Sequence, residues 1–343
     1  MDFQASDFTG THRPLCHPGL DSGPDSGLLD RLVAQGKAAA LSPNTRKTYR
    51  TGWRSWAKWA EARGLPTLPA EPGHLQLWLA ALWQEGKKPA TLSTYLAAVA
   101  HKHRDHTGPN PAHHPQLRLL LSGLTRQAAD EGNTPSQAAP LRWRHILEII
   151  DSAHKPRRNQ PGGRAETPEQ AARRAEFDIA MIALAHDAAL RCSELLALTW
   201  ADIDLPADSE PGTVSIRRSK TDQNGQGAAL PISEFTTQPL IRIRPHSARP
   251  DDPIFDISPS TVTRRMKAAA QAAGNNPANI SSHSPRIGMA QDLAAHGIDL
   301  PGLMQACRWT SEAMARHYIK HLAAHHTPAA QYLKTQDNYP LSC

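Results

Sequence analysis

Six side chains in the second half of the chain could together carry out phosphoryl transfer. Tyr318 offers a hydroxyl whose ordinary pKa is about 10, and such a group becomes a usable nucleophile where cations surround it. The other five can bind a phosphate or move a proton, and they are Arg191, Lys220, His283, Arg286 and Trp309. Two arginines can hold the non-bridging oxygens of a phosphate, and a lysine can protonate a departing alkoxide. No carboxylate cluster has metal-ligand spacing, so we predict that these side chains stabilise charge without a metal ion.

Each of these residues, taken alone, also has an ordinary structural explanation. Arg191 interrupts an apolar helical stretch and needs an anionic partner. Glu194 lies three residues later on the same helix face, and an internal salt bridge is the preferred interpretation of that segment by itself. Lys220 precedes a predicted hairpin turn, where exposed lysines are common, and a lone Tyr318 would more often be a core aromatic.

The segment SSHSPRIGMAQDLAAHG predicts a helix whose start could bind an anion. Ser284 fits the N-cap and Pro285 fits the first helical position. His283 and Arg286 flank that start, where the helix dipole favours negative charge. A capped surface helix without a ligand explains the same residues equally well.

Five short segments occur in an order that resembles the tyrosine recombinase family of phage integrase type. These segments are LRCSELLAL, RRSKT, HSPR, CRW and HYIKH. The resemblance spans about residues 42–333 and is greatest to the Cre-type branch. The core-binding domain of that branch is similar to WRSWAKWAEARG…LPAEP, and its catalytic domain is similar to MAQDLAAHGIDLPGLMQACRWT. Many relatives have a histidine in place of Trp309, and LRH after the motif histidine where this chain has SPRI; both departures match the Cre-type branch.

The resemblance implies how the scissile phosphate would be held. Arg191 and Arg286 would bind its non-bridging oxygens, and Trp309 would donate a hydrogen bond. Glu194 would be a carboxylate that supports the two arginines.

The resemblance also implies the chemical steps. Tyr318 would form a 3′-phosphotyrosine, Lys220 would be the general acid for the leaving 5′-oxygen, and His283 would handle a proton. Because the adduct conserves the phosphoester bond, the 5′-hydroxyl of another strand would reverse the step without ATP, a metal or another cofactor.

The implied function is that of a site-specific DNA recombinase that exchanges strands between two target sites in a tetrameric synapse. Its expected partners are double-stranded DNA with inverted-repeat sites and its own copies, as a homo-tetramer on DNA and a monomer or weak oligomer without DNA. A type IB topoisomerase-like enzyme is one alternative, although the N-terminal domain and the C-terminal tail speak against it. A DNA-binding protein that has lost the reaction is another, although such a protein has no need of Tyr318.

Positive charge is concentrated where a DNA-binding surface would be expected. Residues 42–128 contain 12 Lys or Arg against 4 Asp or Glu, whereas the whole chain carries a net charge of +6. A soluble basic helical domain would show the same imbalance, so charge alone decides nothing. The candidate DNA contacts are Arg46, Lys47, Arg50, Lys87, Lys88, Thr91, Arg264 and Arg265. By the resemblance, Lys87, Lys88 and Thr91 would lie at a helix start and bind phosphates. Arg264 or Arg265 would start a helix that could enter the major groove, where it would contact either a base or a phosphate.

The pattern of apolar residues predicts a mainly α fold with a small antiparallel β-sheet, an α+β class. The resemblance implies a helical SAM-like core-binding domain followed by an integrase-type DNA breaking-rejoining domain. The expected parts are a flexible tail (1–41), a helical DNA-binding domain (42–128), a linker (129–140), the catalytic domain (141–333) and a C-terminal tail (334–343). By the same resemblance, the chain's last residues would donate a short helix to a neighbouring protomer.

Several local signals support these elements. Ser42 is a predicted N-cap with Pro43 after it, and apolar side chains recur at helical spacing along the same segment. The stripe consists of Tyr49, Trp53, Trp56 and Ala60. Alternation in GTVSIRRSKTDQNGQGAALPIS predicts a hairpin that turns at Asn224 and Gly225.

A histidine repeat near the C-terminus is open to a second interpretation. His317, His321 and His325 share one helix face, a spacing that could bind zinc or nickel. No carboxylate or cysteine joins them locally, so a polar helix face is favoured over a metal site.

The remaining composition restricts the class of protein. The chain has 343 residues, enough for two domains, and no apolar run of membrane-spanning length. We expect no secretory signal, and the four scattered cysteines suit a reducing cytosol. The expected location is therefore cytoplasmic, and the resemblance implies a bacterial or phage-type setting and association with the nucleoid.

Overall fold

The computed structural model describes residues 26–104, 106, 108–133, 137–158, 163–205, 211–217, 227–323 and 332. Over these residues the chain is mainly helical and contains one three-stranded antiparallel sheet, so the predicted fold class is confirmed. The chain divides into two compact units, Met1–Pro135 and Ser136–Cys343. Among the described helices, none is both long and apolar enough to cross a bilayer.

The described part of the first unit is built from α-helices around a tryptophan-rich core. They are α1 (Ser26–Ala39), α2 (Pro43–Glu61), α3 (Pro72–Gln84), α4 (Pro89–Lys102) and α5 (Pro115–Asp130). Trp56 and Trp78 are fully buried and meet edge to face with ring centroids 5.5 Å apart. Aromatic pairs of this kind stabilise a core beyond the area they bury.

The start of α2 confirms the predicted cap. The hydroxyl of Ser42 accepts the backbone N–H of Thr45 at 3.2 Å, and Pro43 occupies the first helical position. Of the predicted apolar stripe, Trp56 and Ala60 are buried, whereas Tyr49 and Trp53 are only partly buried.

Helix α1 lies inside the segment that we expected to be a tail with a short helical hint. Its large apolar side chains are more than half exposed, and they are Leu28, Leu29, Leu32 and Val33. Their burial therefore does not account for the helix, whose leucine and alanine content favours helical backbone.

The second unit contains eight α-helices and three strands among its described residues. The helices are α6 (Trp143–Ala153), α7 (Pro168–Asp187), α8 (Cys192–Leu195), α9 (Glu234–Ile243), α10 (Pro259–Ala272), α11 (Ser284–Ala295), α12 (Leu300–Cys307) and α13 (Glu312–Ala323). Every residue from Asp178 to His186 is buried, which makes α7 the central helix of this unit. It packs against α6, α9 and α11.

The predicted hairpin is present as a pair of antiparallel strands, with a third strand at its side. The strands are β1 (Ile203–Asp204), β2 (Gly212–Ile216) and β3 (Ala228–Ile232). Val214 pairs with Ile203 on one side and with Leu230 on the other. The predicted turn at Asn224 and Gly225, like Lys220, falls outside the described residues.

Helix α11 is held tightly by the chain that leads into α6. The carbonyl oxygen of Ser284 accepts the N–H of Leu141 at 2.9 Å, and Asp292 accepts the N–H of Trp143 at 2.6 Å. At Gly288 a β-carbon would lie 1.8 Å from the carbonyl oxygen of Leu141. Only a glycine lets the two backbones approach this closely, and α11 carries two of the candidate catalytic residues at its start.

Candidate active site

Two side chains hold Tyr318 in place, and they come from different parts of the sequence. Its hydroxyl oxygen lies 2.7 Å from Nε2 of His283, and its ring stacks on Trp309 with centroids 4.9 Å apart and planes inclined by 6°. Trp309 is 7% exposed, whereas the phenol is half-buried. The structure thus brings three of the predicted site residues into direct contact.

Arg286 is the most deeply buried charged residue of this cluster. Its guanidinium donates to the backbone carbonyls of Ala189 and Cys307 and lies 5.6 Å from the centroid of Trp309. Burial and the neighbouring charge of Arg191 lower its pKa to about 10, so it is still protonated at neutral pH.

The predicted salt bridge between Arg191 and Glu194 is also part of the cluster. Nη1 of Arg191 donates to Oε1 of Glu194 at 2.5 Å, and the backbone N–H of Arg191 donates to Oε2 at 2.9 Å. Nη1 of Arg286 lies 4.0 Å from Oε2. The structural and the functional interpretations of this pair therefore coincide.

Glu194 is ionised although its side chain is only 2% exposed. Burial raises the pKa of this carboxyl, but hydrogen bonds from Arg191 and the charge of Arg308 outweigh burial and lower it. A buried carboxylate needs such partners, because an unpaired charge in the interior is costly.

Arg308 is a member of the cluster that our sequence reasoning missed. It follows the last residue of α12 in left-handed backbone conformation, with φ 52° and ψ 51°. Its side chain donates to Oε2 of Glu194 at 2.8 Å and to the carbonyl oxygen of Ala188 at 2.8 Å. The one local signal was a helix that ends without the glycine or asparagine usual at such a position.

The surroundings of the cluster shift the pKa values of His283 and Tyr318 in opposite directions. Burial and the charges of Arg286 and Arg191 lower the pKa of His283 to about 4, so this imidazole is neutral at neutral pH. Burial raises the pKa of Tyr318, and the positive charges of the same two arginines offset only part of that rise. In the tautomer that carries its proton on Nδ1, Nε2 of His283 accepts the phenol hydrogen.

The start of α11 differs from the prediction by one residue. The helix begins at Ser284 with His283 at the capping position, and the Ser284 hydroxyl accepts the N–H of Ser281 at 2.9 Å. Ser284 is therefore not the N-cap, because its hydroxyl serves the turn before the helix.

The histidine repeat is described only in part. The imidazole of His317 lies edge-on to Tyr318, with ring centroids 5.5 Å apart. The side chain of His321 and the whole of His325 lie outside the described residues. Over the part of the chain that the structure describes, no group of three or more His, Cys, Asp or Glu could hold a metal ion.

The candidate DNA contacts of the first unit lie on α2 and around the start of α4. Lys87 and Lys88 are exposed immediately before α4, and the carbonyl oxygen of Lys88 accepts the N–H of Thr91 at 2.8 Å. The three residues on α2 are Arg46, Lys47 and Arg50. The last two of these are exposed and the first is half-buried.

On α10 two neighbouring arginines have different surroundings. Arg264 is exposed. Nε of Arg265 lies 2.7 Å from Oδ1 of Asp178, a carboxylate that is 2% exposed, and its guanidinium lies 4.4 Å from the ring centroid of Phe177. Arg265 is thus engaged inside its own unit.

Comparison with known proteins gives a consistent set of similarities. Residues 166–325 match the model of the phage integrase family, and residues 36–104 match that of the phage integrase N-terminal SAM-like domain. The chain is 23% identical over 314 residues to the recombinase Cre of Escherichia phage P1, covering 82% of this chain and 85% of Cre. It is 24% identical over 298 residues to an integrase/recombinase XerD homolog of Selenomonas ruminantium, covering 81% of each.

Solved structures share the fold. The XerH site-specific recombinase, bound to palindromic difH substrate in a post-cleavage complex, matches with a TM-score of 0.56 at 14% identity. The match covers 82% of this chain and 79% of that chain.

Proposed function

The chain belongs to the phage integrase family of tyrosine recombinases, and we propose that it cleaves and rejoins duplex DNA through a 3′-phosphotyrosine at Tyr318. The observation that carries the proposal is the 2.7 Å contact of the Tyr318 hydroxyl with His283, beside the buried guanidinium of Arg286. A phenol held against a neutral imidazole, with arginines nearby, has what a tyrosine nucleophile needs.

In the cleavage step the phenol oxygen of Tyr318 attacks the scissile phosphorus. The Tyr318 O–P bond forms and the bond from phosphorus to the 5′-oxygen breaks. The phenol proton passes to Nε2 of His283, whose pKa rises when the negative phosphate lies beside it. Lys220 gives a proton to the leaving 5′-oxygen, which departs as a hydroxyl.

Rejoining is the same step in reverse, with a different strand. The 5′-hydroxyl of the second strand attacks the phosphotyrosine, the new phosphodiester forms, and the phenol of Tyr318 leaves and recovers its proton. One phosphoester bond is exchanged for another at each step, so the two reaction steps balance without ATP, a metal or another cofactor.

Arg191 and Arg286 bind the non-bridging oxygens of the phosphate, and the indole N–H of Trp309 adds a neutral donor. Both arginines are anchored, the first by Glu194 and the second by backbone carbonyls. Donors that are already oriented stabilise the charge of the transition state without reorganising.

Duplex DNA with inverted-repeat sites is the proposed substrate, and a homo-tetramer on DNA is the proposed active assembly. The concentration of positive charge in residues 42–128 supports the first of these. In this proposal residues 42–128 grip DNA, residues 141–333 carry the chemistry, and the protein works at the nucleoid in a bacterial or phage-infected cytoplasm.

Capture of covalent adducts tests the proposal. The wild-type chain and the Tyr318→Phe variant are incubated with sheared DNA of the source organism, without metal or ATP, and then denatured. We expect adducts on one repeated sequence that are lost in the variant, while DNA binding persists. Adducts that survive in Tyr318→Phe would rule out this nucleophile. In a parallel assay on supercoiled plasmid that carries the captured sequence, relaxation without recombinant product would indicate a topoisomerase.

A second variant tests the general acid. Lys220→Ala should slow cleavage, and a substrate with sulfur at the 5′-bridging position should restore part of the rate, because a thiolate leaves without a proton. An equal defect on both substrates would remove Lys220 from this role.

A further inference from the structure

Two residues other than glycine have positive φ among those that the structure describes, and both lie in the active site. They are Ala189, with φ 44°, and Arg308, with φ 52°. Residues with a β-carbon rarely adopt this conformation, and such strain is concentrated at functional sites. Nη2 of Arg308 donates to the carbonyl oxygen of Ala189 at 3.2 Å, so the two strained residues are joined directly.

The contacts of Arg308 connect the end of α12 to the elements that carry the other arginines. It donates to the carbonyl oxygens of Ala188 and Ala189, which form the turn between α7 and α8, and to Glu194 on α8. Arg286 donates to that same carbonyl of Ala189. The side chain of Arg308 is 11% exposed, and its Nε is buried without a hydrogen-bond partner.

Without a further cation beside it, the negative charge of Glu194 would weaken the binding of a phosphate by Arg191 and Arg286. Its carboxylate is bonded to Arg191 and lies 4.0 Å from Arg286, the two residues that would bind the phosphate. A carboxylate in that place reduces the attraction of both arginines for an anion. Arg308 adds a third positive charge against this single negative charge, at 2.8 Å from Oε2.

We propose that Arg308 is a positioning residue that neutralises Glu194 and pins the turn at Ala189, so that Arg191 and Arg286 remain available to the scissile phosphate. The inference rests on the proposed function. A phosphodiester carries one negative charge, and further charge collects on its oxygens as the new bond forms. The contribution of Arg308 should therefore be larger in the transition state than in the bound ground state.

The test compares substitutions that treat charge and backbone separately. Arg308→Asn removes the charge but keeps a residue that tolerates left-handed backbone, and Arg308→Lys keeps the charge. Arg308→Gly serves in place of the asparagine variant should that variant fail to fold. Arg316→Asn is the matched control, because Arg316 is a 70% exposed arginine on α13 paired with Glu312.

The measurements are the DNA dissociation constant, the single-turnover cleavage rate and the melting temperature, all at fixed salt. We expect Arg308→Asn to cleave about 10- to 100-fold more slowly with a dissociation constant within about threefold of wild type. Arg308→Lys should recover a large part of the rate, and Arg316→Asn should match wild type.

Three results would overturn the inference, each in a different way. Cleavage by Arg308→Asn at the wild-type rate would show that its charge is not needed. If Arg308→Asn and Arg308→Lys lost cleavage rate, DNA binding and melting temperature to the same extent as each other, the role of Arg308 would be merely structural. Absence of cleavage by the wild-type chain itself would instead refute the proposed function, and the inference with it.

Discussion

Nε2 of His283 lies 2.7 Å from the phenol oxygen of Tyr318, although 35 positions separate the two residues. The contact exists because α11 and α13 pack against each other. The indole of Trp309 stacks on the ring of Tyr318 and restrains the rotation of that ring. The hydroxyl is therefore oriented before any substrate binds, which is what efficient attack on a phosphate requires.

The lowered pKa of His283 predicts the pH dependence of cleavage. A histidine with a pKa of about 4 stays neutral as the pH falls through 6.5, the ordinary value, and can still accept the phenol proton. The cleavage rate at sub-saturating DNA reports the pKa of the free protein, and we expect that rate to show no inflection near 6.5 and to fall only at more acid pH. Rates measured at constant ionic strength between about pH 3.5 and 9 check this.

A variant identifies the group responsible for the acid limb. In His283→Gln the side chain can still accept a hydrogen bond but does not titrate, so its slower reaction should lack that limb. An inflection at 6.5 in the wild type that disappears in His283→Gln would contradict the lowered pKa.

Features whose partners are close in sequence are predictable from the sequence, whereas features whose partners are distant in sequence are not. Ser42 was predicted as a cap because its partner, Thr45, lies three residues away. Arg308 gave no such signal, because its carboxylate partner is Glu194, 114 positions earlier in the chain. Which of Arg264 and Arg265 is free to contact DNA also could not be decided from the sequence. The carboxylate that binds Arg265 belongs to Asp178, which lies on another helix.

The two arginines of α10 are predicted to affect different properties. Arg264 is exposed, so Arg264→Ala should weaken DNA binding by about 10-fold and leave stability unchanged. Arg265→Ala should lower the free energy of unfolding by about 1–3 kcal/mol, because Asp178 loses its closest partner. Arg157 and Arg174, at 3.4 and 3.7 Å from the same carboxylate, limit that loss.

Fluorescence anisotropy on target DNA and denaturant unfolding separate these effects, and each variant is the control for the other. The opposite pattern, with Arg265→Ala stable and deficient in DNA binding, would show that the ion pair with Asp178 opens on DNA.

His103 is predicted to make the first unit sensitive to acid. Its Nε2 accepts the N–H of Ala70 at 2.8 Å, and its Nδ1 lies 2.8 Å from the carbonyl oxygen of Val99, so the bonded ring is neutral. Burial lowers its pKa, and a positive charge on His106 adds to the effect. The unfolded chain then binds more protons than the folded chain below 6.5, so stability is lost as the pH falls from 6.5 through the lowered pKa.

Unfolding followed by tryptophan fluorescence reports on this unit, because five of the eight tryptophans belong to it. His103→Gln should flatten the dependence of stability on pH below 6.5, whereas His113→Gln, at an exposed histidine of the same unit, should not. An unchanged slope in His103→Gln would assign the acid sensitivity to another group.

Gly288 is predicted to be required for the site although it has no side chain of its own. A β-carbon there would lie 1.8 Å from the carbonyl oxygen of Leu141 and 2.4 Å from its carbonyl carbon, and neither backbone atom can rotate away. Gly288→Ala must therefore displace α11, which carries Arg286 two residues earlier. We expect a loss of at least about 1–3 kcal/mol in the free energy of unfolding and a slower cleavage rate.

Gly123 provides the matched control for this substitution. It also lies inside a helix, α5, but an added β-carbon would meet nothing within 4 Å. Gly123→Ala should therefore stabilise the protein by about 0.5–1 kcal/mol, since alanine restricts the unfolded chain and favours the helix. Denaturant unfolding and single-turnover cleavage of both variants decide the matter. If Gly288→Ala unfolded and cleaved like the wild type, α11 would have room to move, and its close approach to Leu141 would not be what positions Arg286.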